Sequence, residues 1–346
     1  MRVPMPRSAA TLHDVAREAG VSLATASRAL NGSTRRVNDA YRARVLAAAE
    51  KLDYRPNFSA QAVARGATST VALLVADIAD PYFSSIASGV VRSAEAANLV
   101  VTMAVTDRDN DRELALVRVI RGQRPRVLIL AGSRFTGADD HALEAELRGF
   151  TESGGRVVLI SQHELPFDTV ALANREGARA LAERLVELGY RRFAAIAGAA
   201  ALRTSDDRVD GFCDGLRAAG LDLPDDRVVR APFTRDGGYE AGRELLARGV
   251  DDIELVFAVN DVMAIGAMSA FRDAGVRLPE DLAVAGYDDI STARDVTPPL
   301  TTVRVPLVEV GECAMRLALR EPDEGGDRTE TVASEVVVRE STPPRR

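Results

Sequence analysis

The stretch that decides the fold lies near the amino end, where residues 11–32 read TLHDVAREAGVSLATASRALNG. Thr11 and Asp14 have the spacing of a capping box, and apolar residues then recur at helical intervals as far as Gly20, which can end a helix in the left-handed conformation. Ser22 can cap a second helix only two residues later. Because so short a connection makes two helices cross steeply, the stretch predicts a helix-turn-helix.

A third helix is expected to complete this domain, since two short helices cannot form a core alone. Asn38 can cap it, and Pro56 is expected to stop it because proline lacks an amide donor. We therefore assign residues 1–56 to a three-helix DNA-binding domain. Its expected core residues in the second and third helices are Ala26, Ala29, Leu30, Val45, Leu46, Ala49 and Leu52.

Charge is distributed unevenly along the chain. The net charge of the 346 residues is −7, yet residues 1–66 hold ten arginines and one lysine against five acidic residues. The remainder holds 33 basic and 46 acidic residues. A basic domain joined to an acidic body is expected where only one end meets a polyanion. We therefore favour DNA binding over the alternative of a three-helix protein-interaction module.

The predicted second helix carries groups suited to reading DNA. The amides at its Ser22 end can bind a phosphate, and Arg28 can donate two hydrogen bonds to one guanine. Leu23 and Ala24 have no hydrogen-bonding side-chain groups, so they can read only thymine methyl groups or shape. We expect Arg28 to carry most of the direct readout.

From Ser69 onward, apolar strands alternate with amphipathic helices, which predicts a parallel α/β sheet. A body of about 270 residues is large for one sheet, so two Rossmann-like lobes with a cleft are expected in residues 69–346. The expected strands are 71–75, 100–104, 127–130, 156–160, 193–197, 255–259, 282–285 and 332–338, with helices that include 82–97 and 174–188.

Composition and motifs favour a cytoplasmic binding protein over an enzyme. No window of about 20 apolar residues predicts a membrane span, and the first residues lack the apolar core of a signal peptide. The chain has only three histidines and no common nucleotide or hydrolase motif, so neither catalysis nor a cofactor is expected. Cys213 and Cys313 lack ligand spacing, so we expect free thiols and no metal.

The quoted stretch, together with the YRPN run at residues 54–57, resembles the DNA-binding domain of the lactose-repressor/galactose-repressor (LacI/GalR) family. The resemblance implies that positions 23, 24 and 28 read bases, while neighbouring hydroxyls lie near phosphates. The DNA-binding residues predicted in this domain are Thr11, Ser22, Leu23, Ala24, Thr25, Ser27, Arg28 and Asn31.

Residues 57–68 resemble the hinge of the same family, a short helix that folds on DNA and pairs with a second copy in the minor groove. Val63-Ala64 stands where the family's apolar wedge is usually Leu followed by a small or basic residue. The predicted hinge contacts are Asn57, Ala60, Val63 and Ala64. The alternative is a passive linker.

The body resembles the family's sensing domain, a periplasmic-binding-protein-like fold, in runs at residues 77–83, 259–264, 284–289 and 299–303. The resemblance implies one lobe formed by residues 69–172 and 303–322, and another formed by residues 173–302 and 323–346. It places the ligand-binding residues at Tyr82, Phe83, Ser161, Thr204, Arg208, Phe233, Asn260 and Asp288.

The implied cleft residues are chemically coherent with a sugar-like ligand. Arg208, Asn260 and Asp288 can grip vicinal hydroxyls, and Phe233 offers an apolar face to a sugar ring or a base. Each has an alternative: Asp288 could cap a helix, Arg208 could pair with a neighbouring aspartate on its own helix, and Phe233 could belong to the core.

Two departures from the family pattern leave the ligand's identity open. Ser161 stands where many sugar-binding members carry Asp, and Val305 stands where many carry Gln. Both changes remove polar contacts to a ligand.

These features together predict a repressor whose affinity for operator DNA is controlled by a small molecule, most simply a sugar or sugar derivative. Residues 341–346 lack the leucine heptads of a tetramer-forming coiled coil, so a homodimer on a pseudo-palindromic operator is expected. The alternatives are a corepressor-dependent regulator that binds a purine or another metabolite, and a solute-binding protein or enzyme with a fused basic domain.

Overall fold

The computed structural model describes residues 10–31, 37–54, 68–136, 140–161, 165–321 and 327–345. The chain divides into two compact units, Met1–Thr68 and Ser69–Arg346. The predicted hinge contacts Asn57, Ala60, Val63 and Ala64 lie outside the described residues. Within the described ranges, no helix combines the length and apolar character needed to cross a membrane.

The first unit contains three helices, α1 (Leu12–Ala19), α2 (Leu23–Asn31) and α3 (Asp39–Lys51). The predicted capping box is confirmed, because the Thr11 amide donates to Asp14 Oδ2 at 3.0 Å and the Asp14 amide donates to Thr11 Oγ1 at 3.3 Å. Gly20 ends α1 with a φ of 62°, as predicted.

The core of the first unit is built largely from small residues, including Val15, Ala26 and Val45. Leu46 was expected in this core, but it is 49% exposed, because α3 turns Val45, Ala48 and Ala49 inward instead. Helix α3 also ends earlier than predicted, at Lys51, and Asp53 then adopts a φ of 47°.

A six-stranded parallel sheet organises the first lobe of the second unit, in the order β11-β5-β4-β3-β1-β2. Its strands are β1 (Thr70–Val75), β2 (Val100–Val105), β3 (Val127–Ala131), β4 (Arg156–Ile160), β5 (Asp168–Leu172) and β11 (Thr329–Val332). The helices of this lobe are α4 (Pro81–Ala96), α5 (Asn110–Gln123), α6 (His141–Glu152) and α11 (Leu307–Leu319).

A four-stranded parallel sheet organises the second lobe, in the order β7-β6-β8-β9. Its strands are β6 (Phe193–Ala197), β7 (Val228–Arg230), β8 (Leu255–Ala258) and β9 (Ala283–Ala285). The helices of this lobe are α7 (Asn174–Glu187), α8 (Arg203–Ala218), α9 (Arg235–Arg248) and α10 (Asp261–Asp273).

The chain passes between the two sheets three times: after β5, between β9 and α11, and after β11. The last two passages pair as antiparallel strands, β10 (Thr302–Arg304) and β12 (Glu335–Val337). The expectation that residues 323–346 all belong to the second lobe is therefore wrong, as is the single strand over 332–338. Strand β11 pairs with β5 because it covers an edge of the first sheet that would otherwise stay open.

The ends of the strands set the position of the site. In both sheets, the predicted ligand residues follow the carboxyl ends of parallel strands or start the helices that come next. Such ends are where open α/β sheets bind ligands, so the two lobes face one cleft.

Candidate DNA-reading helix and ligand cleft

The start of α2 is capped as predicted. The Thr25 amide donates to Ser22 Oγ at 3.1 Å, and the two hydroxyl oxygens lie 2.8 Å apart. Leu23, Ala24 and Arg28 are exposed. Arg28 makes no hydrogen bond or ion pair with any residue that the structure describes.

Other side chains of this unit that were predicted to contact DNA are less exposed or already make a hydrogen bond within the protein. Thr25 and Ser27 are half-buried, and the side chain of Asn31 lies outside the described residues. The Thr11 hydroxyl donates to Asp14 Oδ2 at 2.6 Å, so it already serves the helix cap.

Arg208 is the centre of the cleft in the second lobe, where it is 1% exposed. Its Nε donates to Asn174 Oδ1 at 2.9 Å, its Nη1 to the Val259 carbonyl at 2.8 Å and its Nη2 to Asp288 Oδ1 at 2.8 Å. Arg208 therefore does not pair with the aspartates of its own helix, and nearby Asp206 binds Arg230 instead.

Tyr287 and Asn174 position Arg208, although sequence reasoning missed both. The Arg208 Cζ lies 3.8 Å from the centre of the Tyr287 ring, and the Tyr287 hydroxyl donates to the Ala173 carbonyl at 3.1 Å. Tyr287 follows β9 and Asn174 follows β5, so the rule about strand ends could have found both residues.

The backbone at Asp288 is held in an unusual conformation, with a φ of 114°, followed by 54° at Asp289. The Asp288 amide donates to the Val303 carbonyl at 2.8 Å, and the Val305 amide donates to the Asp288 carbonyl at 3.3 Å. Strain of this kind persists only where the surroundings fix it, and it is concentrated at functional sites. Val305, which replaces the family's usual Gln, is buried against this turn.

The Asp288 carboxyl is buried, and it has no helix-capping role, since the short 3-10 turn after it starts from Ile290 without a side-chain cap. Burial raises the pKa of Asp288 to about 7, although Arg208 opposes this shift. Asp80, across the cleft, raises the pKa further.

Asn260 presents a donor that has no partner. Its Oδ1 accepts the Met263 amide at 2.9 Å and so caps α10, but its Nδ2 is buried and makes no hydrogen bond to the described residues. A buried donor left unpaired costs about 1–3 kcal/mol. Asn260 directly follows Val259, whose carbonyl accepts a hydrogen bond from Arg208, and its Nδ2 is suited to donate to a ligand oxygen.

The first lobe contributes an aromatic wall. Tyr82 and Phe83 are buried at the start of α4, with ring centres 4.9 Å apart in an edge-to-face arrangement. Arg108 was not predicted, yet its Cζ lies 6.0 Å from the Phe83 ring centre and 5.5 Å from that of Phe233 in the other lobe. Phe233 packs against the core of the body but is only half-buried, so part of its ring surface stays exposed.

Both acidic and basic side chains line the cleft. Asp80 caps α4 through the Tyr82 amide and lies 4.0 Å from Arg108. Burial raises the pKa of Asp80, against the lowering effects of the Tyr82 amide, Arg108 and Arg208. Burial likewise raises the pKa of the Tyr82 hydroxyl, and Asp288 adds to this effect.

At one rim the lobes touch directly. Ser161, with a φ of 68°, places its Oγ 3.3 Å from Thr204 Oγ1. The Thr204 amide donates to Ser133 Oγ at 3.0 Å, and the Thr136 amide donates to the Ala201 carbonyl at 2.8 Å. The structure therefore brings the predicted Ser161 and Thr204 together as a contact between lobes.

No cluster of three or more metal-ligating side chains occurs in the described part of the chain. In the same residues Cys213 is a half-buried free thiol and Cys313 a buried one.

Comparisons with known proteins cover both units. Residues 11–57 match the profile of bacterial regulatory proteins of the lacI family, and residues 182–342 match that of the periplasmic binding protein-like domain. The HTH-type transcriptional regulator DegA of Bacillus subtilis is 30% identical over 339 residues, covering 96% of this chain and 98% of DegA.

Two further similarities also span most of the chain. The HTH-type transcriptional regulator GalR of Escherichia coli is 33% identical over 312 residues, covering 90% of this chain and 88% of GalR. The solved structure of a complex of the transcriptional regulator CelR with cellobiose is 32% identical, with a TM-score of 0.69, and covers 96% of this chain and 99% of that one.

Proposed function

The chain belongs to the lacI family of bacterial regulatory proteins, and from that premise we propose that it is a dimeric repressor controlled by a hydroxylated small molecule. Its helix-turn-helix makes it a DNA-binding transcriptional regulator, like DegA and GalR. The observation that carries the proposal for ligand control is the buried Arg208–Asp288 pair, together with Asn260 Nδ2, which has no hydrogen-bond partner among the described residues.

The chemistry of this group favours a ligand with adjacent hydroxyls. A carboxylate accepts hydrogen bonds from hydroxyl groups, while amide and guanidinium groups donate hydrogen bonds to hydroxyl oxygens. Phe233 can cover the apolar face of a ring. CelR, a regulator of the same family, has been solved with cellobiose, which supports a sugar or sugar derivative.

We propose that the ligand acts by favouring one arrangement of the lobes. Arg208, Asn260 and Asp288 come from the second lobe, whereas Tyr82 and Phe83 come from the first. A ligand that contacts both lobes stabilises the closed arrangement. It can change DNA affinity only by as much as its affinities for the closed and open arrangements differ. Arg28 on α2 provides the base contact that such a switch controls.

A homodimer is the proposed assembly. Strand β2 is an edge of the first sheet, and it exposes Val100 and Met103 at 65% and 42%. An open apolar edge favours pairing with another chain. Two copies related by a twofold axis then require an operator with two related half-sites.

We propose that the cleft binds its ligand without catalysing its chemical conversion. Support comes from the relatives, which are named as transcriptional regulators and not as enzymes. Recovery of an unchanged ligand from the complex after prolonged incubation is the expected result.

An operator-binding assay tests the proposal. Operator sequences are first selected from random DNA with the full-length protein, and the affinity is then measured with and without each member of a sugar and nucleoside panel. We expect one ligand to weaken operator binding at least about tenfold, a coupling of about 1.4 kcal/mol. A ligand that strengthens binding would indicate corepression, and no effect from any ligand would overturn ligand control.

The matched variant for this assay is Arg208→Lys. It keeps the charge beside Asp288 but cannot reproduce the three-way hydrogen bonding of the guanidinium. We expect this variant to bind the selected operator normally and to lose most of its response to the ligand.

A further inference from the structure

Arg108 is a largely buried cation that lies across the cleft. Its side chain is 16% exposed, and its Cζ lies within 6.0 Å of the Phe83 ring centre and 5.5 Å of the Phe233 ring centre. Phe83 belongs to the first lobe and Phe233 to the second. The guanidinium therefore stands at the place where the two aromatic walls approach each other.

The charge of Arg108 is only partly balanced. The nearest carboxylate is that of Asp80, 4.0 Å away, and Arg108 makes no hydrogen bond with any described residue. Asp80 Oδ1 already accepts the Tyr82 amide at 3.0 Å. Burial lowers the pKa of Arg108, and Asp80, Asp77 and Asp107 offset only part of this effect. Since a guanidinium has five N–H donors, this one has donors to offer to a ligand.

The other cation of the cleft, Arg208, already makes hydrogen bonds within the protein. Arg208 uses all three of its nitrogens on protein acceptors, including Asp288. Asn260 Nδ2 adds a neutral donor without a partner. The cleft thus offers one cation and one amide donor that have no hydrogen-bond acceptor in the described part of the protein.

We propose that Arg108 is a specificity-determining residue that selects a ligand bearing a carboxylate, so that the effector is a sugar acid. The inference rests on the proposed function, because it concerns the same cleft. A planar carboxylate matches the guanidinium fork, while the hydroxyls of the ligand meet Asn260 and Asp288. A phosphate fits less well, because one arginine beside Asp80 cannot neutralise its two charges.

The experiment measures ligand affinity on the full-length protein by titration calorimetry. Three acids are compared with neutral sugars of the same skeleton: glucuronate with glucose, galacturonate with galactose, and gluconate with sorbitol. We expect at least one acid to bind about ten- to hundredfold more tightly than its neutral counterpart.

Variants at two arginines assign the preference. Arg108→Gln should remove the preference for the acid by lowering affinity for the acid far more than affinity for the neutral sugar, while Arg108→Lys should retain part of the preference. Arg112→Gln is the matched control, because Arg112 is 52% exposed and pairs with Asp107 on the same segment. The control should keep the full preference.

Several results would overturn the assignment. The assignment fails if no acid binds more tightly than its neutral counterpart. It also fails if Arg108→Gln weakens binding of the acid and of the neutral ligand equally, because Arg108 would then act as a structural contact between the lobes. A neutral sugar that binds best and alters operator affinity would overturn the assignment and leave the proposed function standing. An acid that binds through Arg108 without altering operator affinity would overturn the proposed ligand control of DNA binding and leave the role of Arg108 in acid selection standing.

Discussion

The two arginines that we propose for DNA and ligand recognition lie in opposite surroundings. Arg28 is exposed on α2, whereas Arg208 is 1% exposed and bound on every nitrogen. An exposed arginine can adapt to a base edge, while a buried one is fixed in place and can orient a ligand. Substitution of Arg28 should therefore change the affinity for DNA, whereas substitution of Arg208 should change the response to the ligand.

Replacement of Arg28 by Ala should weaken operator binding by about 1–3 kcal/mol and relax specificity at one base position. The reason is that Leu23 and Ala24, its exposed neighbours, cannot donate hydrogen bonds to bases. Affinity for the selected operator and for each single-base variant of it measures the effect. An equal loss on operator and random DNA would show that Arg28 contacts only phosphate.

Asp288 should give the stability of the body a distinctive dependence on pH. Its pKa is about 7 in the folded protein, above the ordinary 3.8, so the folded state binds more protons between these values. Its contribution to stability is therefore complete below about pH 3.8 and is lost as the pH rises to about 7. Asp288→Asn should flatten this decline in the free energy of unfolding, measured by denaturant titration between pH 5 and 7.

The matched control for the pH experiment is Asp281→Asn. Hydrogen bonds from Arg277 lower the pKa of Asp281 to about 2, so its contribution is present above about pH 3.8 and is lost as the pH falls to about 2. This variant should keep the decline between pH 5 and 7. A decline in Asp288→Asn as steep as in the unmodified protein would contradict the prediction.

At the scale of elements, three pairs of helices approach closely because one or both partners carry glycine where the backbones meet. Gly89 of α4 faces Gly311 of α11, and Gly238 of α9 faces the Met263 backbone of α10. In the third pair, Gly211 of α8 lies against the Arg175 carbonyl of α7. A methyl group at any of these positions would overlap a backbone atom, so the glycines set the spacing of the helices.

Gly211→Ala should destabilise the body by about 1–3 kcal/mol, because its methyl group must push α7 away from α8. Gly122→Ala is the matched control, since a methyl group there meets no atom within 4 Å in helix α5. It should be stabilising by up to about 1 kcal/mol, because alanine favours helix over glycine. Denaturant titration of both variants measures the difference, and a shift of the same sign in both would contradict the packing argument.

The elements differ in how far the sequence could predict them. Long apolar strands such as β1 and β4 and the capped helices α1 and α2 follow from local patterns, and the structure places them within a residue or two. Strands β5, β7 and β10 were missed, because three to five residues give little periodicity, and β7 and β10 also pair with strands that lie far along the chain. Asn174 was missed as a contact of Arg208 for the same reason, since 34 residues separate the two.

At the scale of the whole sensing body, the first lobe caps a helix of the second. Leu202, which precedes α8, provides no side-chain cap. Instead, the Arg203 amide donates to the Arg134 carbonyl at 3.2 Å and the Thr204 amide donates to Ser133 Oγ at 3.0 Å, both in the segment after β3. Free amides at a helix start need acceptors, so separation of the lobes would expose the start of the helix that carries Arg208.

Ser133→Ala should therefore shift the ligand-free body toward open lobes. Loss of one hydrogen bond of about 1 kcal/mol changes this equilibrium about fivefold, and hydrogen exchange should quicken at the Thr204 amide and also at the Thr136 amide, which donates to Ala201 across the same rim. Ser153→Ala, which removes a hydrogen bond to the Phe150 carbonyl within the first lobe, should leave both amides protected. If exchange at Thr136 stays unchanged in Ser133→Ala, the cap is local and does not hold the lobes together.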